Sequence, residues 1–142
     1  MMTRLVVLSA VFASVWFTGW SPAWASGSRE CSNGTLQGTY GFTRQGFNPA
    51  AGHVGAIGQI TFDGDGNFTG LQTNVTEATG VIRSTFTGTY EVNSDCTGSG
   101  VSGTTTLDLV IVNGGDEVFA IGTMADPPGA QRVVNWVFKK QG

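Results

Sequence analysis

From residue 81 to residue 92 polar and apolar side chains alternate almost without error. Ile82, Phe86, Tyr90 and Val92 share one phase; Arg83, Thr85, Thr87, Thr89 and Glu91 share the other. A side-chain period of two belongs to a strand with one buried and one wet face, not to a helix. The same pattern divides most of the chain into strands. The first is expected over residues 35–43, with Leu36, Tyr40 and Phe42 in phase, and the second over 53–62, with Val54, Ala56, Ile60 and Phe62. The third covers 68–76, the fourth 81–92, and a short, weak fifth 99–102. The sixth covers 104–112, the seventh 117–124 and the eighth 131–139, where Val134, Trp136 and Phe138 are in phase. Residues 44–52 carry no such alternation and are expected to be irregular, with one helical turn at most.

The strands are punctuated by turn sequences: Asp63-Gly64-Asp65-Gly66-Asn67, Asn113-Gly114-Gly115-Asp116 and Asp126-Pro127-Pro128-Gly129. Asp, Asn and Gly tolerate positive φ, and two prolines cannot continue a ladder. Short links between consecutive strands predict an all-β, antiparallel, up-and-down eight-stranded barrel of lipocalin or calycin type. A two-sheet β-sandwich is the alternative. One echo competes with the meander: Thr35-Leu36-Gln37-Gly38-Thr39-Tyr40 resembles Thr85-Phe86-Thr87-Gly88-Thr89-Tyr90, and pairing the two would make strands one and four neighbours. The repeated hairpin signals outweigh it.

Composition adds a location. Arg4, the uncharged apolar run 5–17 and Ser21-Pro22-Ala23-Trp24-Ala25 have the form of a signal peptide cut after Ala25. The expected organisation is therefore a leader, 1–25, and a single barrel domain, 26–142, in the bacterial periplasm or outside the cell. The chain's formal charge is −3, and loss of Arg4 makes it more negative. That disfavours nucleic acid or an anionic membrane as a partner. The apolar run is too short and too poorly flanked for an integral membrane anchor. Cys31 and Cys96 are the two cysteines, and in an oxidising compartment they are expected to form a disulfide stabilising by roughly 3–4 kcal/mol. In a meander both fall at the same end of the barrel.

Candidate chemistry is sparse. Asp63 to Asn67 has the acids and glycines of a calcium loop, but its sixth and twelfth positions are Phe68 and Asn74, where an EF-hand needs Gly and Glu. A hairpin turn is the simpler reading. Gly98-Ser99-Gly100-Val101-Ser102-Gly103 matches a dinucleotide fingerprint in letters, yet strand-like Thr104-Thr105-Thr106-Leu107 follows it instead of a helix. His53 is the chain's one histidine, placed at a strand start where a solvated or capping role is expected. No catalytic residue, metal site or cofactor is assigned. The inward-phase aromatics are more informative. Tyr40, Phe42, Phe62, Phe86, Tyr90 and Trp136, with Gln72 and Asn74 as orienting amides, are the candidate ligand-binding residues. Gly38, Gly58, Gly70 and Gly88 are expected to leave room among them.

Several segments, including Cys31-Ser32-Asn33-Gly34-Thr35-Leu36-Gln37-Gly38-Thr39-Tyr40, Phe62-Asp63-Gly64-Asp65-Gly66-Asn67 and Gly88-Thr89-Tyr90-Glu91-Val92-Asn93-Ser94-Asp95-Cys96, resemble small secreted bacterial β-proteins of unknown function. In outline the pattern is similar to calycin and allene-oxide-cyclase-like barrels. The resemblance implies shared architecture and carries no catalytic motif across. The expected function is a secreted, non-catalytic barrel binding a small apolar ligand. The alternatives are a structural or adhesive envelope or matrix protein with a filled barrel, and a cyclase- or isomerase-like enzyme acting in the barrel cavity.

Overall fold

The computed structural model describes residues 30–123 and 132–142. They form β1 (Gln37–Asn48), β2 (Gly52–Asp63), β3 (Asn67–Thr76), β4 (Gly80–Val92), β5 (Thr97–Ser102), β6 (Thr105–Val112), β7 (Glu117–Gly122) and β8 (Val133–Lys140). Each strand pairs antiparallel with the next. β1 then pairs with β8, from Tyr40↔Lys140 to Phe47↔Val133, and closes the sheet into a barrel. The meander is therefore correct and the sandwich is not. β1 and β4 are not neighbours, so the repeated hexapeptide does not mark a pairing. The expected leader, the Asp126-Pro127-Pro128-Gly129 turn, and the ends of the expected seventh and eighth strands at Met124 and Gln131 lie outside the described residues.

Residues 44–52 overturn an expectation. β1 continues to Asn48, and only residues 49–51 turn into β2. The alternation persists there with reversed polarity: Phe47 is exposed, while Arg44, Gly46 and Asn48 follow Phe42 inward. A search for apolar residues in phase passes over such a segment. It is held as a strand because its backbone is paired on both sides, to β2 and to β8.

One end of the barrel, the floor, is plugged. The Cys31–Cys96 disulfide, with Cα atoms 5.0 Å apart, fastens the N-terminal segment to the start of β5, as the meander requires. A 3-10 turn, Asn33–Thr35, leads to Leu36, which is completely buried. The Tyr90 hydroxyl donates to the Leu36 carbonyl (2.8 Å) and accepts from the Gly64 amide (3.0 Å). The Tyr40 hydroxyl donates to the Gly115 carbonyl (2.5 Å). Two phenols thus hold three floor segments, each satisfying a backbone group that would otherwise be stranded in the core.

The opposite rim is uneven. β1 to β4 have 10–13 residues each, whereas β5 and β7 have 6. β4 pairs with β3 from Gly80 to Thr89 but with β5 only from Thr89 to Val92. One wall therefore stands above the other, and the interior opens beside the short side. Aromatic rings fill the inside while threonines such as Thr39, Thr61, Thr69 and Thr87 face out.

Candidate functional site

Cross-strand register decides which rings touch. Phe42 stands opposite Gly58, Phe86 opposite Gly70 and Phe68 opposite Gly88. In each pair the ring lies over the glycine, and a Cβ there would strike the ring and a neighbouring carbonyl. These glycines do not leave the room that the sequence reading expected; the aromatic rings occupy it. The rings then meet edge to face, Tyr40 with Phe62 at 5.3 Å, Phe62 with Tyr90 at 5.0 Å, and Phe42 with Phe86 at 5.9 Å between centroids. Such contacts contribute about 0.5–1.5 kcal/mol each beyond area burial. They make the lower half of the barrel a solid aromatic plug.

Space remains above it. A cavity of about 110 Å³ is lined by Phe42, Arg44, Ile60, Phe62, Phe68, Gln72, Phe86, Tyr90, Gly100, Ser102, Thr105, Leu107, Leu109, Trp136 and Phe138. The room comes from β5, whose inward residues near the cavity are Gly100 and Ser102. A Cβ at Gly100 would meet nothing nearer than 3.8 Å, so here the missing side chain leaves real volume.

Of the eight expected ligand-binding residues, Phe42, Phe62, Gln72, Phe86, Tyr90 and Trp136 line the cavity. Tyr40 does not: it is wholly buried beneath, with its hydroxyl committed to Gly115. Asn74 does not line it either, but its Oδ1 accepts a 2.5 Å hydrogen bond from Arg44 Nη2. Gln72 is only loosely engaged, its Nε2 lying 3.4 Å from Ser84 Oγ.

Arg44 is the functional candidate that sequence reasoning missed. The signal was present: it lies two residues beyond Phe42 and shares its phase. Its strand neighbours are Ala56 on β2 and Trp136 on β8, and Ala56 in turn faces Asn74. The small Ala56 side chain lets the arginine cross β2 to Asn74, and the guanidinium carbon lies 5.7 Å from the Trp136 ring centroid. Burial pushes the Arg44 pKa down from its ordinary value, but an arginine side chain stays protonated at physiological pH. Its Nε is shut away from solvent with no acceptor among the described residues. A buried donor left in that state costs about 1–3 kcal/mol, and more when charged.

Other candidate groups are at the surface. His53 Nδ1 lies 2.7 Å from Glu77 Oε1 in an exposed pair on the rim, in keeping with a solvated role. Asp63 spends its carboxylate inside its own turn, accepting from the Asp65 amide (2.8 Å), the Asn67 amide (2.9 Å) and Asn67 Nδ2 (2.7 Å). The Asn67 side-chain bond, helped by the backbone amides, holds the Asp63 carboxyl below the usual carboxylate range. That is hairpin chemistry. Among the described residues no group of three or more His, Cys, Asp or Glu is placed to hold a metal ion. Residues 98–102 lie on β5 and run into β6, with no helix to receive a phosphate.

Neither a protein-family model nor a curated protein matches the chain. Among solved structures, the S-type phycobiliprotein lyase CPES from Guillardia theta is similar at 9% sequence identity and a TM-score of 0.47, over 78% of this chain and 90% of that one.

Proposed function

We propose that the protein is exported, loses residues 1–25, and acts as a single-domain barrel that holds a small apolar molecule in its upper cavity without converting it chemically. The observation that carries this reading is the ring-lined cavity of about 110 Å³ above a filled floor. At about 110 Å³ the cavity is smaller than the roughly 150 Å³ apolar cavity that takes up benzene, so it suits at most one aromatic ring or a short branched chain, the remainder of the ligand lying against the taller wall. Burying about 150 Å² of such a group at ~25 cal/mol per Å² supplies near 4 kcal/mol, enough for millimolar binding before any polar contact. The Cys31–Cys96 disulfide suits an oxidising compartment.

A second reading, contact with another macromolecule, is favoured by one observation. Residues 80–88 of β4 have a strand partner on one side only, and Leu71, Val75 and Val81 are exposed on the same hairpin.

Titration with the neutral probe 3-phenyl-1-propanol, followed by the Trp136 indole resonance, tests the first reading. The expected result is a saturable shift with a low-millimolar or tighter Kd. Gly100→Ile, whose Cβ would meet nothing nearer than 3.8 Å, should fill the space and weaken binding at least tenfold while the fold persists. No saturable shift in the wild type would overturn the proposal, and concentration-dependent self-association without it would support the second.

A further inference from the structure

Arg44 brings a positive charge to a cavity that no acid among the described residues lines. The chain has ten acidic residues against seven basic ones, yet among the residues lining the cavity Arg44 is the one with a charge. The described residues offer it no ion pair. Its nearest partners are a neutral amide, Asn74, and the face of Trp136. A guanidinium has five N–H donors in a planar fork. The Nη2 bond to Asn74 fixes the orientation of that fork, and the buried Nε still lacks an acceptor.

An arginine serving only to brace the wall would have each of its buried donors satisfied. Here the side chain is partly withdrawn from water, anchored by one amide, and its buried Nε donor is left unspent at the edge of an apolar space. In such surroundings a single charge is poorly screened and favours an anion over a neutral group of the same shape. The planar fork suits two-point bonding to a carboxylate.

We infer that the ligand is an apolar acid: a ring-sized or short-branched apolar end seated above Phe62 and Phe86, with a carboxylate bonded to Arg44. Asn74 is then a positioning residue, which aims the guanidinium and does not itself meet the ligand. This assignment rests on the apolar-ligand reading of the same cavity and adds the charge of the head group.

The test compares three probes of equal length, 3-phenylpropionate, 3-phenyl-1-propanol and 3-phenylpropylamine, at constant ionic strength near pH 7. Wild-type protein should bind the acid at least tenfold more tightly than the alcohol, and the amine more weakly than either. In Arg44→Gln, which removes the charge and keeps an amide donor on the wall, the acid-to-alcohol ratio should fall to within twofold while alcohol binding is retained. Asn74→Ala should reduce the ratio without abolishing alcohol binding, and it serves in place of Arg44→Gln if that variant does not melt cooperatively. Equal binding of acid and alcohol by the wild type, or an unchanged ratio in Arg44→Gln, would overturn the anionic head group and leave the apolar site standing. Failure of all three probes to bind would remove the site itself, and this inference with it.

Discussion

The two tyrosines of this chain do opposite things from what their rings suggest. Each adds apolar surface to the core, but its hydroxyl is what organises the floor, through Gly115 for Tyr40 and through Leu36 and Gly64 for Tyr90. Burial pushes Tyr40 up to about 12, with Asp116 and Tyr90 adding repulsion. Tyr90 is also raised, chiefly by burial, although its backbone hydrogen bonds pull the other way. An unfolded tyrosine titrates near 10. Both groups therefore contribute stability that is whole below about pH 10 and is lost as the pH climbs through their folded values. Tyrosinate absorbance should stay low to beyond pH 10, with the Tyr40 contribution rising near pH 12, together with loss of near-ultraviolet circular dichroism. A midpoint near 10 with the fold intact would show that the hydroxyls are free. Arg44 makes a related point at the same scale: position two beyond Phe42 determines that it faces inward, but its meaning depends on Asn74 and Trp136, distant in sequence.

Among the elements, β5 is the weakest by sequence and the one that shapes the interior. It has 6 residues, and its inward positions near the cavity carry Gly100 and Ser102 where a bulkier strand would fill the barrel. What holds so poor a strand is its pairing on both edges, to β4 over Thr89↔Val101 to Val92↔Gly98 and to β6 along its length. The disulfide at Cys96 then ties its leading end to the floor segment across a sequence separation of 65. Cys31→Ser with Cys96→Ser should lower unfolding stability by roughly 4 kcal/mol on the chain-entropy account, measured by urea unfolding against the oxidised wild type. A change below about 1 kcal/mol would mean that the floor is held by Tyr90 and Tyr40 alone.

For the whole molecule, closure is the controlling event. Pairing β1 with β8 leaves no long apolar sheet edge except along residues 80–88 of β4, and it encloses the rings that no single hairpin could cover. The Cys31–Cys96 disulfide fits an oxidising compartment, and the proposed leader would supply the route. Protein recovered from its own source should have the intact mass of a chain starting at Ser26, two hydrogens lighter than its reduced form. An intact mass retaining residues 1–25 would sink the export proposal.

Much of this was legible in the residues taken in order. Strand period, turn chemistry and the even pair of cysteines are local or nearly local properties, so they determined eight strands, their antiparallel sequence and the end at which Cys31 meets Cys96. The inward phase of Tyr40, Phe62, Tyr90 and Trp136 followed from the same alternation. Only the tertiary structure decided where volume survives, because that depends on which ring faces which glycine across a ladder. Phe86 fills the space at Gly70, whereas at Gly100 a Cβ would meet nothing nearer than 3.8 Å. It also decided that a polar-inward stretch ending at Asn48 is a strand, and that among the described residues Arg44 has an amide and an indole beside it but no acid. Alternation reports the face on which a side chain lies; register and closure determine what it meets there.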